Sequence, residues 1–314
     1  VLEVVWFITG AASFSRFVRL HVSAAQSSQI HFRSFDTTFT QLHEEAVVIL
    51  DDPIGMQQQK ALDRHQMNLH LKELSALEFF LQYQPQIHPV TKKITGCESL
   101  IRARRDSGEI SMPGNFLPWF EKAGLMKNID FWVLEKAIEQ SGVWRRAGLQ
   151  LDITVNISAD SLSDRTMVEQ MILALARSRG RINFEITEQA LACDVEQVRW
   201  ALEKISQTGA RIYIDDFGTD YSSLAYLHHY PIDAIKIDRS FVLALQSEKG
   251  QKVFDGLIAF AQRLDLGIVV EGVETPEQLA WVPDTEKISV QGWYYSKAID
   301  PDKMQAFSQR FWLA

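Results

Sequence analysis

Two aspartates stand side by side in the stretch RIYIDDFGTDYSSL, residues 211–224, directly after an apolar run. Asp215 and Asp216 carry like charges, which repel each other unless cations, hydrogen bonds or water compensate them. A solvated turn is one interpretation, since Asp, Gly and Ser are common turn residues. The polar residues elsewhere in the chain decide whether the pair belongs to a turn or to a site.

Other polar side chains also follow short apolar segments. Beside the two aspartates, these residues are Glu98, Asn156, Glu185, Glu188, Lys236, Asp238, Glu271, Glu274 and Gln291. A single acidic residue after a strand is often just the N-cap of the next helix. That interpretation weakens for one group, because so many carboxylates in one pocket repel strongly unless divalent cations share them. The group is Glu98, Asn156, Glu185, Asp215 and Asp216.

The ligand types in this group favour a hard cation. Oxygen ligands, with no Cys or His among them, suit Mg2+, Mn2+ or Ca2+. The eight histidines of the chain do not form a set with metal-ligand spacing. Lys236 adds a positive charge that suits a phosphate oxygen or a nucleophilic water. Together these residues indicate phosphodiester hydrolysis by two-metal chemistry.

Such a site needs a scaffold that brings distant segments together. From about residue 78, apolar or β-branched runs such as INFEITE and GIVVEGVE alternate with helical stretches such as VEQVRWALEKISQTGA. Helix C-caps are expected at Gly180, Gly209 and Gly267. The alternation predicts an α/β fold with a mostly parallel sheet.

The size of this region fits a (β/α)8 barrel. An open doubly wound sheet is the alternative, but no glycine-rich phosphate loop follows the first strand. In a barrel, the C-terminal strand ends converge on the face where active sites form, so residues far apart in sequence would meet in one cavity.

Composition limits the class of protein. With 46% apolar and 23% charged residues, the 314-residue chain is typical of a globular protein. A net charge of −8 argues against DNA or RNA binding, which usually needs a basic face. Cys97 and Cys193 do not suggest a disulfide framework, so a cytoplasmic location is expected.

The sequence divides into three parts. Residues 1–50 are an unassigned N-terminal segment, residues 51–77 are predicted to form a connecting helix with an apolar stripe, and residues 78–314 form the main domain. The apolar N-terminus is interrupted by Glu3 and Arg16 and is short for a membrane span of roughly 20 residues. We expect no membrane contact within the chain, whose start on Val leaves an upstream membrane or sensor domain open.

The order of eight motifs resembles that of the EAL-domain cyclic di-GMP phosphodiesterases. The motifs are YQPQI, CESLIR, VNIS, FEITE, YIDDFGTDYSSL, IKIDRSF, VVEGVET and VQGWYYSK, and the resemblance covers about residues 78–314. It implies a (β/α)8 TIM-like barrel of the EAL type with an atypical early strand, preceded here by the additional N-terminal segment. It also implies hydrolysis of cyclic di-GMP to linear pGpG, and a homodimer.

The resemblance implies two bound ions, Mg2+ or Mn2+. One ion would be bound by Glu98, Asn156, Glu185 and Asp215. Asp215 would bridge to the second ion, with Asp216 as a further ligand. Ca2+ prefers looser geometry and more ligands, so we expect it to occupy the site and to be inhibitory.

The resemblance also implies roles around the metals. Lys236 and Glu271 would contact or activate the attacking water. Residues facing the substrate or completing the pocket floor would be Gln84, Arg102 and Gln291, with Arg102 pairing a phosphate through its planar fork. Glu188 would anchor the loop after Asp216.

Three positions depart from the family pattern. Ser99 stands in the EAL signature where alanine is usual, which should matter little because the chemistry resides in Glu98. Asp220 replaces the usual second glycine of the DFGTDYSS loop and adds negative charge; glycine takes a positive φ freely, whereas Asp would take one at some cost. Val270 stands where alanine is common. We expect activity to be retained, and the effect of these changes on regulation through the loop stays open.

Two other functions stay open. A non-catalytic module would bind cyclic di-GMP or a protein partner without turnover, although degenerate relatives of that kind usually lose metal ligands and this chain retains them. A barrel enzyme acting on some other phosphodiester is the second alternative, because only the family resemblance specifies a guanine dinucleotide.

Overall fold

The computed structural model describes residues 2–6, 18–22, 28–31, 77–178, 181–219 and 229–312. The chain forms two compact units, residues 1–80 with 101–123 and residues 81–100 with 124–314. Asp220 lies outside the described residues, as does the connecting helix expected over 51–77 except for its last residue.

Three short strands lie in the N-terminal segment: β1 Leu2–Trp6, β2 Val18–Val22 and β3 Ser28–His31. They form an antiparallel sheet in the order β1-β2-β3, with Val4 opposite Leu20 and Leu20 opposite Ile30. The backbone of this segment thus carries β structure, and its role stays unassigned.

Among the described residues, nine further strands form one sheet. They are β4 Glu78–Ile87, β5 Ile94–Arg104, β6 Ile110–Ser111, β7 Ile153–Asn156, β8 Ile182–Thr187, β9 Ile212–Phe217, β10 Ala234–Ile237, β11 Gly267–Glu271 and β12 Ile288–Gln291. Their order is β4-β12-β11-β10-β9-β8-β7-β5-β6, and a further β4–β5 pairing closes eight of them into a ring. The closed ring confirms the predicted (β/α)8 barrel and excludes the open doubly wound sheet.

One strand of the barrel runs against the others. β5 and β7 to β12 are parallel to one another where they pair. β4 is antiparallel to β12, with Ile87 opposite Val290. This reversed first strand is the atypical early strand that the family resemblance implies.

Helices alternate with the strands of the barrel. They are α1 Leu117–Lys122, α2 Met126–Arg146, α3 Ala159–Ser163, α4 Arg165–Arg177, α5 Val195–Ser206, α6 Arg239–Leu243, α7 Glu248–Arg263, α8 Pro276–Leu279 and α9 Pro301–Trp312. The Asp238 side chain accepts a hydrogen bond from the Ser240 amide and so caps α6. Within the described residues, no helix is both long enough and apolar enough to cross a bilayer.

Burial and backbone conformation explain where these elements begin and end. All four residues of β10 and of β12 are buried, as expected for parallel strands covered on both faces. Gly209, with a φ of 88°, follows α5 as expected for a C-cap. The expected C-cap at Gly267 is wrong, because Gly267 begins β11 and Asp265, with a φ of 58°, takes the left-handed conformation after α7. Gly180 lies outside the described residues.

Candidate active site

The barrel strands bring the predicted site residues to one rim. Asn156, Glu271 and Gln291 are the last residues of β7, β11 and β12. Asp215 and Asp216 lie within the last three residues of β9. Because the parallel strands of a barrel end at the same face, these side chains converge there.

Three more predicted residues lie inside their strands and are almost fully buried. Glu98 on β5 is 5% exposed, Glu185 on β8 is 0% exposed and Lys236 on β10 is 1% exposed. Buried charges require partners, since an isolated ion in a low-dielectric interior is very costly. These three residues supply those partners to one another.

Lys236 is the centre of the site. Its Nζ lies 2.7 Å from Glu271 Oε1, 2.8 Å from Glu185 Oε2, 3.0 Å from Asp215 Oδ1 and 3.4 Å from Glu98 Oε2. One ammonium therefore faces four carboxylates that come from four different strands. The predicted residues thus meet in space, with a surplus of negative charge around a single lysine.

The pKa values of the cluster reflect burial set against these charges. Burial lowers the pKa of Lys236, but the charges of Glu185 and Glu271, with the two other carboxylates, outweigh burial and hold that pKa well above its usual value. Burial and the nearby Glu98 charge raise the pKa of Glu185 well above its usual value. Burial also raises the pKa of Glu271, to about 7, although Lys236 opposes it. The site therefore holds more carboxylates than its lysine can neutralise.

Glu98, one of the four carboxylates around Lys236, accepts hydrogen bonds from two side-chain amides as well. Its Oε1 accepts a hydrogen bond from Asn156 Nδ2 at 2.9 Å, and its Oε2 accepts one from Gln291 Nε2 at 2.5 Å. Burial favours the neutral form of Glu98, but Lys236 and these two hydrogen bonds outweigh burial and lower its pKa. Glu98 is thus held as an anion with a defined orientation.

A second group of oxygens lies beside this centre. One carboxylate oxygen from each of Asp215, Asp216 and Glu271 lies within 4.8 Å of the others. Asp216 has a φ of 54°, in the left-handed region that Asp tolerates better than most residues. This backbone conformation brings a second consecutive carboxylate to the rim, which an extended strand would place on the opposite face.

The residues present fit divalent metal ions. Among the described residues, Glu185 Oε1 is buried and has no hydrogen-bond partner, and a buried unpaired oxygen is costly unless something else coordinates it. Asp215 Oδ1 likewise makes no hydrogen bond, although it lies 3.0 Å from Lys236 Nζ. An all-oxygen donor set suits Mg2+ or Mn2+. The expected ligands are Glu98, Asn156, Glu185, Asp215 and Asp216.

Glu188 holds the chain that follows Asp215 and Asp216. It is 6% exposed at the start of a 3-10 helix over Glu188–Ala192, and its Oε2 accepts a hydrogen bond from the Gly218 amide at 3.0 Å. Gly218 has a φ of 89°, and a Cβ there would lie 3.1 Å from Phe241 Cζ. The loop beyond Thr219 lies outside the described residues.

Three glutamines from two antiparallel strands lie next to Glu98. Gln291 Nε2 lies 3.4 Å from Gln84 Oε1, and Gln84 donates to the Ser296 carbonyl at 3.2 Å. Gln86, which was not among the predicted site residues, donates from Nε2 to Gln291 Oε1 at 3.0 Å. The sequence signal for Gln86 was its spacing, because residues two apart on a strand share a face.

Arg102, Ser99 and Val270 are the remaining motif positions, and all three are buried. Arg102 belongs to the unit formed by residues 1–80 and 101–123, is 5% exposed and donates to the Ile101 carbonyl, so its contact with a substrate stays a prediction. Ser99 Oγ donates to the Thr154 carbonyl at 3.0 Å and so joins β5 to β7. Val270 is fully buried in β11.

Asp130 on α2 is a second residue near the site that was not among the predicted site residues. Its Oδ2 accepts hydrogen bonds from the Ser158 amide at 2.8 Å, the Ser158 hydroxyl at 2.5 Å and the Ser161 hydroxyl at 2.7 Å. Burial raises the pKa of Asp130 to about 6. This carboxyl holds the chain two residues after Asn156, at the start of α3.

Comparison with known proteins agrees with this architecture. The sequence profile of the EAL domain matches residues 67–298. Cyclic di-GMP phosphodiesterase NbdA of Pseudomonas aeruginosa is 34% identical over 236 residues, which are 74% of this chain and 30% of NbdA. The chain therefore spans less than a third of that relative.

Two solved structures share the fold. The EAL enzyme Bd1971, in its form with cAMP and cyclic di-GMP bound, has a TM-score of 0.71 and 27% identity and covers 81% of this chain and 71% of its own. The PaMucR phosphodiesterase in complex with cyclic di-GMP has a TM-score of 0.67 and 31% identity and covers 79% of this chain and 98% of its own. The profile match, the barrel and the motif order together establish that the chain belongs to the EAL domain family.

Proposed function

We propose that this chain hydrolyses cyclic di-GMP to linear pGpG with the help of two divalent metal ions. The observation that carries the proposal is the cluster in which Lys236 Nζ lies within 3.4 Å of four carboxylates. Such a cluster combines hard-cation ligands with a positive charge, as phosphodiester hydrolysis requires.

The relatives supply the proposed substrate. NbdA is named a cyclic di-GMP phosphodiesterase, and the Bd1971 and PaMucR structures contain cyclic di-GMP. The charge chemistry alone fits any phosphodiester. Cyclic di-GMP is therefore proposed from membership of the family, and a panel of cyclic dinucleotides tests it.

The metal ligands in this proposal are Glu98, Asn156, Glu185, Asp215 and Asp216. Bound Mg2+ or Mn2+ would supply Lewis-acid polarisation of the phosphate and a lower pKa for the attacking water. Glu98 is held for this role by the amides of Asn156 and Gln291. The homodimer and the inhibition by Ca2+ belong to the same proposal.

Lys236 and Glu271 act on the reacting atoms. The Lys236 ammonium donates a hydrogen bond to the attacking water or to a phosphate oxygen. Glu271 lies 2.7 Å from that ammonium, orients the ammonium and accepts a proton from the water. A new P–O bond to the water oxygen forms as the bond from phosphorus to the 3′-oxygen breaks. The 3′-oxygen leaves with the electron pair of the broken bond and takes up a proton from solvent, which gives the hydroxyl of the linear product.

Gln84, Gln291 and Arg102 are proposed to contact the substrate. The two glutamines lie within 3.4 Å of each other beside Glu98. Arg102 carries a planar guanidinium that matches a phosphate in a bidentate way. Glu188 keeps the chain after Asp216 in place by holding the Gly218 amide.

The test is a product assay with matched variants. Purified protein is incubated with cyclic di-GMP and Mg2+ or Mn2+, and linear product is followed by chromatography for wild type, Glu98→Ala, Lys236→Ala and Glu248→Ala. Glu248 is an exposed partner of Lys252 on α7 and serves as the control. We expect product from wild type and Glu248→Ala only. Turnover near the wild-type rate in Glu98→Ala contradicts the proposal, and binding without product from wild type indicates a non-catalytic module.

A further inference from the structure

Gln86 and Gln291 face each other across the antiparallel pair of strands in the barrel. Ile87 lies opposite Val290, so antiparallel register places Gln86 opposite Gln291. Both side chains are buried, at 3% and 5% exposed. Buried amides are retained only where their donors and acceptors are satisfied, because an unmet polar group in the interior is costly.

The hydrogen bonds of the Gln291 amide have a defined direction. A glutamine side chain offers one oxygen acceptor and one NH2 donor group. The Gln291 oxygen accepts from Gln86 Nε2 at 3.0 Å, which leaves its NH2 group for Glu98 Oε2 at 2.5 Å and Gln84 Oε1 at 3.4 Å. The donor from Gln86 thus pairs with the side-chain oxygen of Gln291 and leaves its NH2 group to face Glu98.

Rotating the Gln291 amide by 180° would break its hydrogen bonds to both Glu98 and Gln86. A flipped amide would bring its oxygen against the Glu98 carboxylate and its NH2 group against the NH2 group of Gln86. Two acceptors and two donors would then face each other without hydrogen bonds. The present orientation is therefore the one in which each of the three side chains has a partner.

The barrel leaves room for the Gln86 side chain at one glycine. A Cβ at Gly96 on β5 would lie 3.3 Å from Gln86 Oε1 and 3.1 Å from the Asp152 carbonyl oxygen. The Gln86 backbone is also held, since Thr95 Oγ1 donates to its carbonyl at 3.1 Å and lies 2.7 Å from Ser289 Oγ. Both the side chain and the backbone of Gln86 are thus fixed.

We propose that Gln86 is a positioning residue of the candidate active site, whose amide N–H orients Gln291 so that Gln291 holds Glu98 for metal binding. The proposal rests on the proposed role of Glu98 as a metal ligand. Without the Gln86 donor, the Gln291 oxygen is buried and unpaired, and rotation of that amide withdraws a hydrogen bond from Glu98. Loss of a residue that hydrogen-bonds a ligand directly, as Gln291 does, commonly changes metal affinity 10- to 100-fold, and Gln86 acts on Glu98 through Gln291.

Metal affinity tests this directly, with a control on the same strand. Gln86→Met keeps the shape and removes the donor, whereas Gln82→Met removes a hydrogen bond outside the Lys236 cluster, from Gln82 Nε2 to Asp300 Oδ1 at 3.0 Å. We expect Gln86→Met to weaken Mn2+ binding roughly 10- to 100-fold by calorimetry on the full chain. Gln82→Met should bind within about twofold of wild type. Equal affinity in wild type and Gln86→Met, or equal losses in both variants, overturns the proposal.

Crystal structures of wild type and Gln86→Met provide a second test, which does not depend on catalytic activity. In wild type we expect the Gln86–Gln291–Glu98 chain of hydrogen bonds, and in Gln86→Met a Gln291 side chain that no longer donates to Glu98. A wild-type structure without the chain, or an unmoved Gln291 in the variant, overturns the proposal. If the proposed function fails, cyclic di-GMP is not cleaved by wild type, while the orientation of Gln291 is still read from these structures.

Discussion

Lys236 Nζ and Glu271 Oε1 lie 2.7 Å apart at the ends of two neighbouring parallel strands. Lys236 on β10 is opposite Val269 on β11, so Glu271 lies two residues further along the same face. The pair is covered on one side by Glu185, whose side chain is fully buried. The lysine therefore pairs with a carboxylate at the rim of the barrel and with one in its interior.

Removing the charge of Lys236 should destabilise the protein without metal. Lys236→Met leaves buried carboxylates without their ammonium, a change that typically costs about 3–5 kcal/mol of the free energy of unfolding. Urea unfolding in EDTA measures it. Lys252→Met, which breaks an exposed pair with Glu248 on α7, is the control and should change little. Equal stability of the two variants contradicts the central place of Lys236.

Metal binding should stabilise the folded protein through Glu185. Its Oε1 is buried and makes no hydrogen bond among the described residues, so a bound cation supplies the missing partner. A free metal concentration of 100 times the Kd stabilises the folded protein by about 2.7 kcal/mol. We expect Mn2+ to raise the Tm of wild type and of Glu203→Gln, an exposed control on α5. An equal rise in Glu185→Gln contradicts this role.

The stability of the fold should fall with rising pH because of Asp130. Burial raises the pKa of its carboxyl from 3.8 to about 6 in the folded protein. Between these pH values the unfolded chain has lost the proton that the folded protein retains. The stabilisation is complete below pH 3.8 and is lost as the pH rises through 6, by at most about 3 kcal/mol.

Asp130→Asn measures this contribution, since asparagine keeps an oxygen acceptor and does not titrate. The free energy of unfolding of wild type, relative to this variant, should fall between pH 4 and pH 7.5. Asp255→Asn on the exposed side of α7 is the control for the Asp-to-Asn substitution itself. A constant difference for Asp130→Asn over this range contradicts the prediction.

Gly218 should tolerate no side chain. Its φ of 89° disfavours L-residues, and an added Cβ would lie 3.1 Å from Phe241 Cζ. We expect Gly218→Ala to cost about 1–2 kcal/mol of stability and to reduce turnover by displacing the amide that Glu188 holds. Gly256→Ala, in α7 with open space around it, should instead stabilise by about 0.5–1 kcal/mol. Chemical denaturation and the product assay compare the two, and equal effects refute the role of Gly218.

Much of the candidate site was predictable because local pattern places polar residues at strand ends. The alternation of strands and helices predicted the barrel, and barrel geometry then brings Asn156, Asp215 and Glu271 to one rim. Asp238 shows the limit of this reasoning, since it also follows an apolar run but caps α6. A strand-end carboxylate alone does not distinguish a cap from a ligand.

The sequence by itself determined the class of fold and the residue types of the candidate site, its oxygen-bearing side chains and its lysine, because periodicity and residue chemistry are local properties. Only the tertiary structure decided that Gln86 donates to Gln291, 205 positions away, and that Asp130 on α2 holds Ser158. Those contacts depend on the reversed β4 closing the ring against β12 and on helices packed around it. No local pattern encodes them, since strand register and side-chain orientation are set by the packing of the whole barrel.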